Sequence, residues 1–556
     1  METISSQAQA VSIEQPRYSQ RDTLLTMTGV LLVMLLASLD QTIVSTAMPR
    51  ITVDLQGFDR YTWVTTAYML TSTVMVPIYG KLSDLYGRKV IFITGVVIFL
   101  VGSALSGASQ SMNMLIAFRA FQGLGAGALL PIAIAVVGDL FTPRERGKWQ
   151  GVTGAVFGIS AIVGPTVGGW LTEYASWRWV FYVNLPIGIV ALLVLIFLMP
   201  PLRRGATQVS IDYIGAALLI IGTVPLLLGF TWAGTQYAWL SPPIIGLFVL
   251  AVVALVAFVL YEAWLERRKG QPIIEPSLFK NSIFTVSTIV TVVFSMGLFG
   301  SIFFIPLFIQ GVIGTSISNS GLIMTPLTLT SVFGSILAGQ LVSRLGRYKW
   351  LAITGMAISI AGAGLLLRLG LQSSNTDVLV AMLVMGIGLG TGMSMYSLIV
   401  QNALPTKIGQ ATSTLTFFRS IGGTIALAAM GSVMYSAYLP AFQNALPTNV
   451  KQALPAKAMD TFSNPQALLS PDTLAQVRAE FAAQGLQGLA LYNQLIEAMK
   501  AGLVQGLHDV FILSTVVLSV GLVALFFLKE IELRGGRASS GRTVARVEEA
   551  VPTAAG

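Results

Sequence analysis

An all-α membrane protein of about fourteen spanning helices is predicted by three observations. Of the 556 residues, 54% are hydrophobic and only 10% charged, where a soluble domain carries about 25% charged; mean hydropathy is +0.76. The apolar residues gather in runs of roughly twenty, the length that crosses a hydrocarbon core. Lys and Arg collect in alternate loops between those runs, the pattern of loops on the cytoplasmic side of a bilayer.

Composition also excludes function classes. A net charge of +9 raises the question of nucleic acid, but the basic residues sit in short loops and form no basic face with interleaved aromatics. No nucleic-acid partner is expected. The chain has no cysteine and a single histidine, His508, which removes disulfides, thiolate or histidine-pair metal sites and cysteine catalysis. No metal and no cofactor is expected. Neither a phosphate-binding Gly-x-x-x-x-Gly-Lys-Ser/Thr loop nor a nucleophile–base set is present, so a primary pump or an enzyme is not expected. Residues 1–22 are polar and lack the charged-then-apolar order of a cleaved signal.

The first six runs cover roughly 24–48, 61–80, 90–109, 112–138, 149–172 and 178–200. Two follow at 212–232 and 242–264. Six more lie near 282–311, 318–342, 350–371, 377–401, 412–437 and 506–528. The basic loops hold Arg17 and Arg21, then Lys81, Arg88 and Lys89, then Arg144, Arg146 and Lys148. They continue with Arg203 and Arg204, Arg267 to Lys269, Arg344 to Lys349, Lys407 and the tail from Lys529. Both termini are therefore expected in the cytoplasm of a cell that carries the protein in its plasma or inner membrane.

The loop after the second run reads Gly80-Lys-Leu-Ser-Asp84-Leu-Tyr-Gly87-Arg88-Lys89. Gly80 and Gly87 permit close backbone approach and a sharp reversal, and Asp84 is placed to accept from a neighbouring helix N-terminus or a basic side chain. A second copy, Gly339-Gln-Leu-Val-Ser343-Arg-Leu-Gly346-Arg347, stands at an offset of 339 − 80 = 259 residues, with Ser343 in the place of Asp84. The repeat predicts two six-helix halves with a substrate site between them near the midplane. The expected organisation is a cytoplasmic tail 1–22, a half at 23–200, two linker helices within 201–280, and a half at 281–533. A long extracytoplasmic loop at 439–505 interrupts the second half, and a disordered cytoplasmic tail follows at 534–556. In that loop Ser470-Pro471-Asp472 starts a helix. Leu474, Val477, Phe481, Leu489, Tyr492, Leu495 and Met499 then recur at helical spacing. An amphipathic helix on the outer surface is expected, with guidance of substrate as the alternative role.

Charges inside spans are costly and usually functional. Asp40 lies nine residues before Pro49, ~13 Å along a helix, and Arg119 eight after Ser111, ~12 Å. The helices run in opposite directions, so both charges reach one depth. Either they form a functional couple, directly or through Gln122, or an ion pair that only locks two helices. Arg419, seven residues past Thr412, is ~10 Å inside the thirteenth span; it either snorkels to the interface or faces the central cavity. From Asn281 to Tyr435 the only acid is Asp377, which favours lipophilic neutral, monocationic or amphipathic substrates over dications. Candidate cavity residues are Trp63, Tyr68, Gln122, Gln310, Tyr396, Gln401, Asn402 and Arg419.

The Gly80–Lys89 loop resembles the signature between the second and third helices of the major facilitator superfamily. The stretch Leu39-Asp40-Gln-Thr42 to Pro49 resembles that family's first-span motif, with Ser45 where Asn is more usual. Arg119-Ala-Phe-Gln122-Gly123 resembles its Arg-Gln-Gly motif. Gly164-Pro165-Thr-Val-Gly168-Gly169 resembles the signature of the family's antiporters. There the proline permits a bend and the glycines close packing, although small-residue packing alone is the other reading. Trp177 to Pro186 resembles the approach to the sixth span and suggests interface anchoring. With the linker pair, the resemblance extends to the fourteen-span drug:proton antiporter branch of EmrB/QacA type.

That resemblance implies a proton-coupled exporter of lipophilic or amphipathic small molecules, or of a lipid on the same fold. Asp40 would carry the proton and Arg119 set its affinity. Gly80, Asp84, Gly87, Arg88 and Lys89 would form the conformational switch, and Gly164, Pro165, Gly168 and Gly169 the antiporter bend. Protons, a lipophilic substrate and membrane lipids are the expected partners; no residue pattern names an envelope partner.

Overall fold

Long apolar runs with no water to satisfy their backbone leave the α-helix as the solution within each run, and helices make up the protein. The computed structural model describes residues 19–56, 60–202, 210–234, 236–315, 317–453, 471–483 and 485–533, with 462, 465 and 468 singly. The expectations for Arg17, Arg203, Arg204, Ser470 and the tail 534–556 fall outside them, as do those for residues 1–18 of the first tail.

The helices are α1 (Gln20–Asp54), α2 (Tyr61–Tyr86), α3 (Arg88–Gly107), α4 (Met112–Leu140), α5 (Pro143–Tyr174), a turn α6 (Trp179–Tyr182) and α7 (Asn184–Leu198). Then come α8 (Tyr213–Trp232) and α9 (Pro242–Arg267), followed by α10 (Ser282–Phe308), α11 (Ile317–Leu345), α12 (Lys349–Leu366), α13 (Asn375–Ala403) and α14 (Ile408–Ala445). The chain ends with α15 (Thr448–Ala453), α16 (Pro471–Ala482) and α17 (Gly485–Phe526). Among the described residues thirteen helices are long and apolar enough to cross a membrane. The 26-residue α2 is as long as these, but its Thr and Ser residues dilute its hydropathy.

Several starts are set by local chemistry. Ser111 accepts the Met114 N–H at 3.3 Å to cap α4, and Asn281 accepts Ile283 N–H at 3.0 Å to cap α10. Before α13 the Ser374 N–H donates to Asp377 at 2.8 Å, the reciprocal half of a capping box.

α1 packs on α5 and α7, and α4 on α2 and α3. Among the later helices α13 packs on α11 and α12, and α14 on α10 and α17, while α8 and α9 pair with each other. Close contacts between the first group and the second cluster at the Gly80 end. Gly80 abuts Ser413, Gly147 abuts the Gly339 backbone, and Gly151 and Gly158 abut Ile336 and Val332. Past Gly158 the same helix turns to α1, with Gly164 on Thr42 and Gly168 on Ile43. Gln41, Ser45 and Thr46 of α1 and Pro165 and Thr166 of α5 are exposed. The close glycine contacts between the two groups thus lie at the Gly80 end, whereas beyond Gly158 the glycines of α5 face α1 of their own group.

The sixth run is one span, Trp179–Leu198, with Val183 as a single turn residue between α6 and α7. Two expectations are corrected. α1 runs through Pro49 to Asp54. The single helix expected in loop 439–505 is two: α16 begins at Pro471 as expected, but from Gly485 the helix is continuous with the last span in the 42-residue α17, ~63 Å long, about twice a ~30 Å hydrocarbon core. The physical reason is burial. Phe442 of α14 packs on Gly502, and Leu495 and Met499 of α17 share a core with Tyr438, Phe442, Phe462 and Phe481. The shorter α16 packs on α17. Together they form a helical stalk beyond the bundle.

Candidate functional site

The densest polar cluster inside the bundle surrounds Asp40, which has no solvent exposure. The acid comes from mid-α1, where the chain has leucines and valines on either side. Its Oδ2 accepts from Arg119 Nη1 of α4 at 2.7 Å. Its Oδ1 accepts from Gln122 Nε2 of α4 at 2.9 Å and from Asn184 Nδ2 of α7 at 2.8 Å. Arg119 Nη1 also donates to Gln122 Oε1 at 2.8 Å. Asn184 donates a second bond, to Ser103 Oγ of α3 at 3.0 Å. The Tyr68 ring of α2 lies 4.1 Å from the guanidinium carbon, within range of a cation–π contact. Donors from α4 and α7 thus reach the α1 carboxylate directly, and α2 and α3 support them through Tyr68 and Ser103. The charges cancel, and both carboxylate oxygens are held by donors, which a buried ion pair needs to offset its desolvation.

Asn184 was invisible as a site residue from the sequence reading, which placed it in an interface stretch. The available signal was its position as an Asn opening a 15-residue apolar helix, since polar groups inside spans are rarely idle.

A second polar cluster closes the Gly80 end. Arg88 is 2% exposed and pairs with Asp84 at 2.5 Å and with Asp139 of α4 at 2.8 Å. Asp84 Oδ2 accepts the Gln410 N–H at 2.9 Å, in the first turn of α14, so a carboxylate of α2 caps a helix of the other group. Gly87 holds φ at +94°, the left-handed region in which a side chain would be strained. Lys89 Nζ donates to the Ile196 and Met199 carbonyls, both at 2.7 Å, at the end of α7. In the second copy Gly346 also has positive φ, +68°, and Lys349 Nζ donates to the Phe526 carbonyl at 2.9 Å.

Gly164 and Gly168 seat α5 against α1, whereas nothing crowds Gly169. Pro165 lies inside the unbroken α5. The candidate cavity residues do not converge. Tyr68 and Gln122 belong to the Asp40 cluster. Trp63 meets Trp232 of α8 edge-on, with centroids 5.6 Å apart. Gln310 sits in the π-turn Ile309–Ile313 after α10. Tyr396 is buried against Phe294 at 5.5 Å, its hydroxyl without a hydrogen bond among the described residues. Gln401 donates to the Ile134 carbonyl at 3.2 Å near the closed end, and among the described residues neither side-chain polar atom of its neighbour Asn402 has a partner. Arg419 is half-buried, and its fate turns on where α14 begins: eleven residues past Ile408 it is ~16 Å deep.

The chain's comparisons agree with this geometry. The family model described as Major Facilitator Superfamily matches residues 30–427. The chain is 39% identical over 543 residues to the multidrug transporter protein MdtP of Bacillus subtilis (strain 168), spanning 95% of this chain and 97% of that one. It is 35% identical over 510 residues to multidrug resistance protein 3 of the same organism, spanning 92% and 96%. Among solved structures, that of the human organic anion transporter MFSD10 (TETRAN) aligns with a TM-score of 0.56 over 89% of this chain and 99% of that one. At 16% identity that likeness concerns the fold.

Proposed function

Because the chain belongs to the major facilitator superfamily, a family of membrane transporters, we propose that it exports lipophilic or amphipathic small molecules in exchange for protons. The observation that carries this reading is Asp40, a fully buried acid held by donors from α4 and α7. An intramembrane carboxylate so placed is a functional site by default, and proton relay is one of the roles such residues take. Taking up a proton requires Arg119 to let go of Asp40, and Gln122 Oε1, 2.8 Å from Arg119 Nη1, is an acceptor already in reach. Asp40 protonated and Arg119 shifted is the second state of this cluster.

The remaining parts fit alternating access. The basic loops support a cytoplasmic Gly80 end in a cell membrane; on that reading the closed end faces inward, the other end outward, and both termini lie inside. Residues 23–200 and 281–533 would act as the rocking halves, with 201–280 as the linker of the fourteen-span drug:proton branch. Asp84, Arg88 and Gln410 release on the inward-open stroke. The Gly164–Gly169 packing of α5 on α1 supports exchange over uptake, and the names of the multidrug relatives suggest the substrate class.

Proteoliposomes with an imposed proton gradient test the reading. Wild type should move a lipophilic cationic dye, and Asp40→Asn should lose gradient-driven movement by about 10²-fold or more, the scale of a missing proton-transfer group. Retained gradient-driven transport in folded Asp40→Asn would place the carrier elsewhere. The scarcity of acids after Asn281 and the outer stalk favour a second reading, export of a lipid or other endogenous amphiphile. A folded wild type that moves labelled lipid and not dye would select it.

A further inference from the structure

We propose that Asp212 and Glu262, on the paired helices α8 and α9, bind one proton between them as a carboxylic acid–carboxylate pair. This would be a proton site separate from Asp40. Asp212 caps α8, its Oδ1 accepting the Gly215 N–H at 2.7 Å. Its other oxygen turns towards Glu262, from the last turns of α9. A Cβ on Gly215 would fall 2.6 Å from Glu262 Oε1 and against Asp212 Oδ2 as well. Both oxygens therefore crowd one small space, which only a glycine leaves open.

Asp212 is 8% and Glu262 1% exposed. Asp212 Oδ2 and both oxygens of Glu262 lack a well-formed hydrogen bond among the described residues. Two carboxylates offer acceptors and no donor. Ionised together they repel, and burial removes the water that would screen them. One proton supplies the missing donor and cancels one charge. The groups facing the pair do not replace it. The Tyr261 hydroxyl reaches Asp212, and the Ile273 N–H and the Lys81 ammonium face Glu262. Lys81 is already engaged, 3.4 Å from Glu275.

That engagement gives the site a consequence. Glu275 holds Lys81 of α2 and also pairs with Lys407, the residue before α14. Gln410 of α14 donates to the Ile273 carbonyl at 2.9 Å in the same segment. The stretch 272–275 is thus a strap across the closed end, and its lysine stands between Glu275 and the acid pair. Loss of the shared proton draws Lys81 towards Asp212 and Glu262 and slackens the strap.

Infrared difference spectra of the full chain in detergent test this without a transport assay. At neutral pH, wild type and Asp40→Asn should both show the C=O stretch of a protonated carboxyl, sensitive to deuterium exchange. Glu262→Gln, which keeps the shape, and Asp212→Asn, which keeps the capping oxygen, should each lose it. Persistence of the band in either folded variant overturns the proposal. Should one variant fail to fold, the other carries the reading. A wild-type spectrum with no protonated carboxyl overturns it alone.

Discussion

At Asp40, donors from two helices meet one carboxylate, and the consequences of removing each differ. Asp40→Asn strips the counter-charge from a buried arginine, which costs about 3–5 kcal/mol. Adding Arg119→Gln should return much of the lost melting temperature in detergent while leaving gradient-driven transport absent. If transport returned with stability, the pair would be only a brace. Asn184→Ala removes a neutral buried donor and should cost about 1–3 kcal/mol, read as a lower melting temperature; an unchanged melt would remove Asn184 from the cluster. The Asp40–Arg119 partnership was legible because helix rise converts residue counts into depth. The third partner was not, since depth says nothing about which face of α7 turns inward. Rotation is settled only by packing: Asn184 and Ser103 lie together because Gly188 of α7 admits Leu100 of α3.

Among the elements, α5 and α11 set the closed end. Gly147 and Gly339 meet backbone to backbone, so Gly147→Val should wedge the helices apart at that end and stall transport. The check is faster reaction of an introduced cysteine at the Gly339 end of α11. Glu275→Gln acts on the strap instead. It removes a partly buried bridge to Lys81 and Lys407, worth about 1 kcal/mol, or about fivefold in the ratio of closed to open. That shift should shrink in high salt. Most spans were readable to within a few residues because a bilayer imposes one length on every run. α14 and α17 were misjudged because outside the bilayer no such ruler applies. Their extensions follow from side chains meeting across sequence, Tyr438 and Phe442 with Leu495 and Met499.

At the scale of the whole molecule, the repeat at offset 259 shows how alike and how different the two copies are. Both copies turn at a glycine with positive φ, but only the first carries an acid, Asp84, that caps a helix of the other group. Asp84→Ser, which imitates the second copy, should leave the fold intact and populate the inward-open state. Faster labelling of a Gln410→Cys reporter by a membrane-impermeant maleimide is the measurement. What the sequence did not convey was the state itself: no residue pattern distinguishes a bundle closed at one end from the same bundle closed at the other. The two differ by the small free energy that a ligand or proton must tip.

The end of the bundle opposite Gly80 has a practical corollary. Ser45 and Thr46 of α1 are exposed there, and the natural chain contains no thiol at all. A single cysteine at position 45 is therefore the sole target for a maleimide that cannot permeate lipid. Its rate of modification, followed while the proton gradient is reversed, becomes a clock for the turnover of one molecule's shape.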